Sequence, residues 1–211
     1  MQRQERGIRI GNAALLALAL AASAGTSAGA SGGALPGGDA PAKIVVARAR
    51  PGEQPLVVQG QVVRADGKTP AAGIVLYVYQ TDTTGRYSDT PGAPPRLRGW
   101  VRTDASGHYE YRTIRPAPYP GGRVPAHVHT QLWGDGAPPQ WGTELLFDDD
   151  PALPAAERER SKALGRFAFV CAPRRDAHGW LHCRHDLRLK TSGDRIEANS
   201  RHGLVPPERS R

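Results

Sequence analysis

From Lys43 onward the chain alternates short apolar runs with turn residues, and the runs have the composition of strands. Ile44–Val46, Leu56–Val63 and Ile74–Gln80 are rich in β-branched and aromatic side chains, which suit a pleated, half-buried surface. Between them, Ala65-Asp66-Gly67-Lys68-Thr69-Pro70 carries the Asp-Gly and proline punctuation of a turn. Thr103-Asp104-Ala105-Ser106-Gly107 is a second turn, and it leads into the alternating run His108–Ile114. Val128–Trp133, Thr143–Phe147, Phe167–Cys171 and Leu181–Leu189 continue the pattern. Many short strands with Gly, Pro and Asp turns predict an all-β sandwich with long loops. The one helix expected is Pro154–Leu164, where Ala155-Ala156-Glu157-Arg158-Glu159-Arg160 favours helix.

Composition agrees with long loops: 25 Gly and 19 Pro among 211 residues do not suit a helical bundle. The ends differ from the middle. Residues 1–28 read as a secretory signal, with Arg3, Arg6 and Arg9 ahead of the apolar run Ala13–Ala22. Ala22-Ser23-Ala24 and Thr26-Ser27-Ala28 both fit a cleavage site. The run is shorter than the ~20 apolar residues of a membrane span. The mature protein is therefore expected to be exported, periplasmic or extracellular, and free of the membrane. Residues 29–42, mostly Gly, Ala, Ser and Pro, read as a flexible linker. Residues 43–190 form the predicted domain, and 191–211 a polar tail, disordered or loosely docked. The formal charge of +8, from 28 Lys+Arg against 20 Asp+Glu, is partly an effect of the basic ends. No compact Lys/Arg stripe is interleaved with aromatics, so a nucleic-acid partner is not expected.

Export bears on Cys171 and Cys183, the only cysteines. In an oxidising compartment such a pair most often forms a disulfide, contributing ~3 kcal/mol in the chain-entropy model. The competing zinc site would add His178, His182 and His185. That spacing fits no common zinc pattern, and adjacent His182 and Cys183 would point to opposite sides of a strand.

The candidate chemistry lies in Pro125-Ala126-His127-Val128-His129. Spacing of i, i+2 on a strand puts both imidazoles on one face, ~6.6 Å apart along the chain. Two nitrogen ligands can converge on one ion from there. The pair alone does not choose a metal, since zinc hydrolases and cupin-type oxygenases use it with a further His or a carboxylate. Two tyrosines narrow the choice. Tyr119 sits between prolines in Arg115-Pro116-Ala117-Pro118-Tyr119-Pro120-Gly121, and Tyr87 lies in Thr84-Gly85-Arg86-Tyr87-Ser88, just beyond the third strand.

These residues, in this order, resemble the intradiol ring-cleavage dioxygenases, the family of catechol 1,2- and protocatechuate 3,4-dioxygenases. The resemblance runs from about Gln59 to Pro151 and includes Asp82–Ser88, Leu97-Arg98-Gly99, Thr103–Tyr109, Arg112–Pro116, Tyr119, Pro125–His129 and Thr143–Pro151. It implies a non-haem Fe(III) held by Tyr87, Tyr119, His127 and His129, with Tyr119 and His129 axial. Phenolate is a hard donor suited to Fe(III), and a tyrosine needs a strong cation to ionise at neutral pH. Two phenolates and a hydroxide would cancel the three positive charges, leaving a neutral site. The implied substrates are a catechol, bound as a dianion with Tyr119 taking up a proton, and O₂. The ring would open between its hydroxyl-bearing carbons to a muconate-type diacid.

Two positions depart from the family's pattern. Val124 stands where the family usually has Arg, and Arg123, one residue earlier, is the candidate for stabilising negative charge on the substrate. Glu144, in Thr143-Glu144, stands where the family tends to have Gln. Glu144 also supports a rival, a zinc or iron hydrolase built on His127, His129 and Glu144. A further rival is non-catalytic. Gly60–Ile114 resembles prealbumin-like β-sandwich modules, which act as binding or spacer domains, but this leaves Tyr119, His127 and His129 without a purpose. What precedes the domain looks more like the compact exported members of the family than like the catechol 1,2-dioxygenases with their N-terminal helices.

Overall fold

The computed structural model describes residues 35–205. The signal sequence expected over residues 1–28, the first part of the linker and the last six residues lie outside the described residues.

Two sheets pack face to face. The first contains β1 (Lys43–Val45) and β2 (Pro55–Val63). The second begins with β3 (Val75–Gln80) and β4 (Leu97–Arg102), after which the chain returns to the first as β5 (His108–Ile114). The second sheet then gains β6 (His127–Gly134), β7 (Ala137–Trp141) and β8 (Leu145–Phe147). Helix α1 (Ala155–Ala163) follows, as expected from its composition. β9 (Val170–Cys171) joins the second sheet, while β10 (Arg174–Arg175), β11 (Leu181–Arg184) and β12 (Leu187–Arg188) join the first. The strand orders are β1-β5-β2-β11-β10, with β12 also pairing β2, and β4-β3-β6-β8-β9, with β7 also pairing β6. No helix of the described residues is long and apolar enough to cross a membrane.

The core lies between the sheets. Leu56, Val58 and Val62 of β2 with Tyr109 and Tyr111 of β5 meet Leu76, Val78, Val128, Leu132 and Phe147 from the second sheet. Cys171 and Cys183 are bonded to each other. One sits on β9 and the other on β11, so the bridge ties the two sheets together at one side. Strand β7 contains Pro138 and Pro139 and did not register as a strand in the pattern. It pairs on one side only, with β6, which is where a sheet tolerates residues that cannot donate to the ladder.

The second sheet is apolar on both faces. All six residues of β3 are buried. Its outer face carries Val75, Tyr77, Tyr79 and Trp133, a patch that must be covered. The two segments read as linker and tail help to cover it. Before β1, the Pro36 carbonyl accepts the Trp133 indole N–H at 3.1 Å, and the Ala42 carbonyl accepts the Glu110 amide at 2.9 Å. Residues 36–42 are therefore docked rather than a free linker, because their carbonyls serve groups of the sandwich. After β12, a 3-10 segment, Ala198–Leu204, crosses the outer face. The Trp100 indole donates to the Gly203 carbonyl at 2.9 Å, and Leu204 packs on the aromatic patch. A Cβ at Gly203 would fall 2.2 Å from the Tyr77 ring, so this close approach requires glycine. The polar tail thus docks through its backbone.

Candidate metal centre

Strand alternation builds the first half of the centre. Val128 and Leu132 of β6 point into the core, which turns His127, His129, Gln131 and Trp133 to the outer face. Antiparallel pairing with β3 sets His129 opposite Tyr79 and Gln131 opposite Tyr77. Tyr79 stacks on His129 with ring centroids 4.5 Å apart and planes 25° apart. His127 is only 4 % exposed.

Two loops bring the other half. After β3 the chain turns through Asp82–Arg86, where the Asp82 carboxylate accepts the Thr84 amide at 2.8 Å and the Arg86 amide at 3.2 Å. This presents Tyr87. The loop between β5 and β6 carries Tyr119 and closes on itself, the Tyr119 amide donating to the Val124 carbonyl at 3.2 Å. The loops are joined where Gly85 faces Pro118. Gly85 has φ +78°, and a Cβ there would lie 2.2 Å from the Pro118 carbonyl oxygen. Only glycine allows both the turn and the approach. The Thr81 hydroxyl adds a hydrogen bond to the Ala117 carbonyl at 2.7 Å.

Four polar atoms meet. Tyr87 Oη is 2.6 Å from Tyr119 Oη, 2.8 Å from His129 Nε2 and 3.1 Å from His127 Nε2. The two Nε2 atoms are 3.1 Å apart. The far side of each ring explains why both Nε2 atoms carry lone pairs. His127 Nδ1 donates to the Pro125 carbonyl at 2.7 Å, and His129 Nδ1 donates to the Glu144 carboxylate at 2.8 Å. The Tyr87 hydroxyl has one proton to donate and three acceptors around it, so the cluster under-satisfies its own lone pairs. A cation at their meeting point satisfies all four.

The surroundings act in the same direction. Burial pushes the Tyr87 and Tyr119 phenols above their ordinary range, which keeps both neutral unless a cation compensates the phenolate. Burial also lowers the pKa of His127, favouring the neutral imidazole that a metal requires. The hydrogen bond from His129 holds the Glu144 carboxyl below the usual carboxylate range, against the opposing effect of burial. Two phenolic oxygens with two imidazole nitrogens make a donor set that fits Fe(III). His127, His129 and Glu144 do offer ligand atoms within 4.8 Å of one another. Glu144, however, meets His129 at Nδ1, on the opposite side of the ring from the converging Nε2.

A family model described as Dioxygenase matches residues 40–190. The chain belongs to the intradiol ring-cleavage dioxygenases. It is 32% identical over 146 residues to the protocatechuate 3,4-dioxygenase beta chain of Burkholderia cepacia, covering 60% of this chain and 62% of that one. It is 36% identical over 119 residues to catechol 1,2-dioxygenase 1 of Acinetobacter lwoffii, covering 47% of this chain and 38% of that one. The matches thus span less than two thirds of either curated relative. Among solved structures, the dioxygenase domain of a dioxygenase–carbohydrate-binding protein fusion from the cellulolytic bacterium Streptomyces sp. SirexAA-E superposes with a TM-score of 0.54. That structure is 29% identical, and the match covers 73% of this chain and 91% of that one.

Of the residues singled out in the sequence, Tyr87, Tyr119, His127, His129 and Glu144 are brought together. Arg123 is not. It is exposed and does not line the cavity beside the four donors. Gly121 and Gly122, with φ of +96° and +67°, turn the loop so that Tyr119 faces inward while Arg123 stays outside. Three cavity residues carried no signal on their own. Tyr79 read as a strand aromatic, Trp141 lay between two predicted strands, and His202 lay in the polar tail. Alternation along β3 offered a clue to Tyr79, but its register against His129 is a tertiary fact.

Proposed function

We propose that this protein is an exported non-haem Fe(III) dioxygenase that opens the ring of a catechol between its two hydroxyl-bearing carbons. The convergence of Tyr87 Oη, Tyr119 Oη, His127 Nε2 and His129 Nε2 carries the reading. Those four side chains would hold the ion. Bound Fe(III) supplies the electron withdrawal that activates a catecholate ring toward O₂. The chain's own residues do the rest. Tyr87 and Tyr119 both sit on loops and line the open cavity, and the family resemblance assigns to the Tyr119 phenolic oxygen the uptake of a substrate proton. Glu144 fixes the His129 tautomer, and Pro125 fixes that of His127. Tyr79, stacked on His129, walls one side. In the overall change one ring C–C bond breaks, both atoms of O₂ enter the product, and two carboxyl groups form.

The test begins with colour and composition. Purified mature protein should be red-brown, hold one iron per chain and take up one O₂ per catechol consumed. A colourless protein holding only zinc would exclude the proposal. In that case the close grouping of His127, His129 and Glu144 favours a hydrolytic zinc centre. Such a centre needs no tyrosine, so Tyr87→Phe would leave its metal in place. The Cys171–Cys183 bridge supports export, since disulfides persist in oxidising compartments. Cell fractionation that found the protein in the cytoplasm would contradict export.

A further inference from the structure

The cavity that opens from Tyr87, Tyr119 and His129 is large for one aromatic ring. Its volume is about 600 Å³, whereas a cavity of ~150 Å³ accepts benzene. A single catechol would leave most of it to water. The walls are aromatic or small. Tyr79 and Trp141 stand on the sheet side, and Gly92, Ala93 and Pro95 form a low rim. The roof is the C-terminal 3-10 segment, with Ala198, Asn199, Ser200 and His202. Trp141 lies 6.3 Å from the His129 ring, and His202 meets Tyr79 edge-on at 5.7 Å. This is the lining of a site for a second flat, apolar group.

Charge narrows the choice. Neither Lys nor Arg is among the described residues that line the cavity. The charged side chain there is Glu144, which is half exposed at 48 %. Arg98, the cross-strand partner of Tyr79, turns its guanidinium to the Pro95 carbonyl and is not part of the lining. Arg123 is outside, as described above. A carboxylate on the substrate ring would lose its hydration, meet no Lys or Arg among the lining side chains and face Glu144, while Arg98 behind the rim is already engaged by the Pro95 carbonyl.

We infer that the substrate is an uncharged catechol bearing a bulky, aryl-sized ring substituent, and that Trp141 with the segment Ala198–His202 selects it. The inference rests on the ring-cleavage reading for the catechol half of the molecule. Its test uses the iron-loaded protein titrated calorimetrically under nitrogen, where ligands bind without turnover. The probes are catechol, 4-phenylcatechol and 3,4-dihydroxybenzoate. 4-Phenylcatechol should bind about tenfold more tightly than catechol, and 3,4-dihydroxybenzoate at least about tenfold more weakly. Asn199→Arg, at an exposed position on the roof, should strengthen 3,4-dihydroxybenzoate by about threefold to fivefold. Equal or tighter binding of 3,4-dihydroxybenzoate by the unaltered protein would overturn the inference, whatever the variant does. Oxygen uptake with the same three compounds separates the two claims. The expected binding order without any oxygen consumption would remove the ring-cleavage reading while leaving the selectivity of the cavity intact. Consumption that favours the carboxylated catechol would do the reverse.

Discussion

Glu144→Ala tests how the centre is organised. The carboxylate accepts His129 Nδ1–H at 2.8 Å and so holds the other nitrogen as a lone-pair donor. Removing a partner of this kind typically weakens metal binding by about 10- to 100-fold. The local exposure selects the lower end. Glu144 is 48 % exposed, so water can replace the lost carboxylate, although the His129 side chain itself is only 17 % exposed. The expected loss is about tenfold, equivalent to ~1.4 kcal/mol. Glu144→Gln keeps an acceptor for Nδ1–H and loses only the charge, so it should recover most of the affinity, to within about threefold. The assay is competition for iron between the holoprotein and a chelator of known affinity, with the charge-transfer band followed in parallel. Affinity in Glu144→Ala equal to that of the unaltered protein would refute the positioning role. Complete loss of metal, as severe as His129→Ala, would make Glu144 a ligand and refute the assignment of the converging face to Nε2.

Further expectations follow from the same structure. Tyr87→Phe removes the oxygen that lies between Tyr119 and both imidazoles, so iron should bind at least about tenfold more weakly and phenolate-to-iron absorption should fall. Full metal content with an unchanged spectrum would show that Tyr87 is no ligand. Changing both Cys171 and Cys183 to Ser should lower the unfolding free energy by about 3 kcal/mol in urea titrations, because the bridge ties β9 of one sheet to β11 of the other. An unchanged midpoint would contradict that. His185 is 0 % exposed, and burial brings its pKa down from 6.5 to about 4. Between those values the unfolded chain binds a proton that the folded one rejects, so stability should fall as pH drops through this window, by ~3 kcal/mol in total from this group. Above pH 6.5 the group contributes no pH dependence. His185→Gln should flatten the slope of stability between pH 6 and 4.5 by about one proton, and an identical slope would discount this residue.

Much of the architecture was legible in the order of residues because local physics controls it. The runs Ile74–Gln80 and His108–Ile114 of the pattern appear as the strands Val75–Gln80 and His108–Ile114, and the helix around Ala155–Ala163 is where its composition put it. The i, i+2 spacing of His127 and His129 does place both imidazoles on one face of β6. What did not show in the pattern depends on contacts with distant residues. Pro138 and Pro139 argue against a strand, yet an edge position makes one possible. Residues 198–204 look like solvent-exposed tail, yet their backbone groups satisfy Trp100 and cover an aromatic face.

By itself, then, the sequence determined the alternation of strands and turns, the pairing of the two cysteines and the chemical types available for a metal. Each of these follows from side-chain size, polarity or redox chemistry along a short stretch of chain. Only the tertiary structure decided which atoms converge. The β3–β6 register sets Tyr79 against His129, the absence of a Cβ at Gly85 lets two distant loops bring their tyrosines within 2.6 Å, and a turn at Gly121-Gly122 leaves Arg123 outside. It also showed that Glu144 meets His129 at Nδ1 rather than on the converging Nε2 side. Those outcomes depend on distances between elements far apart in the chain, which no local pattern encodes.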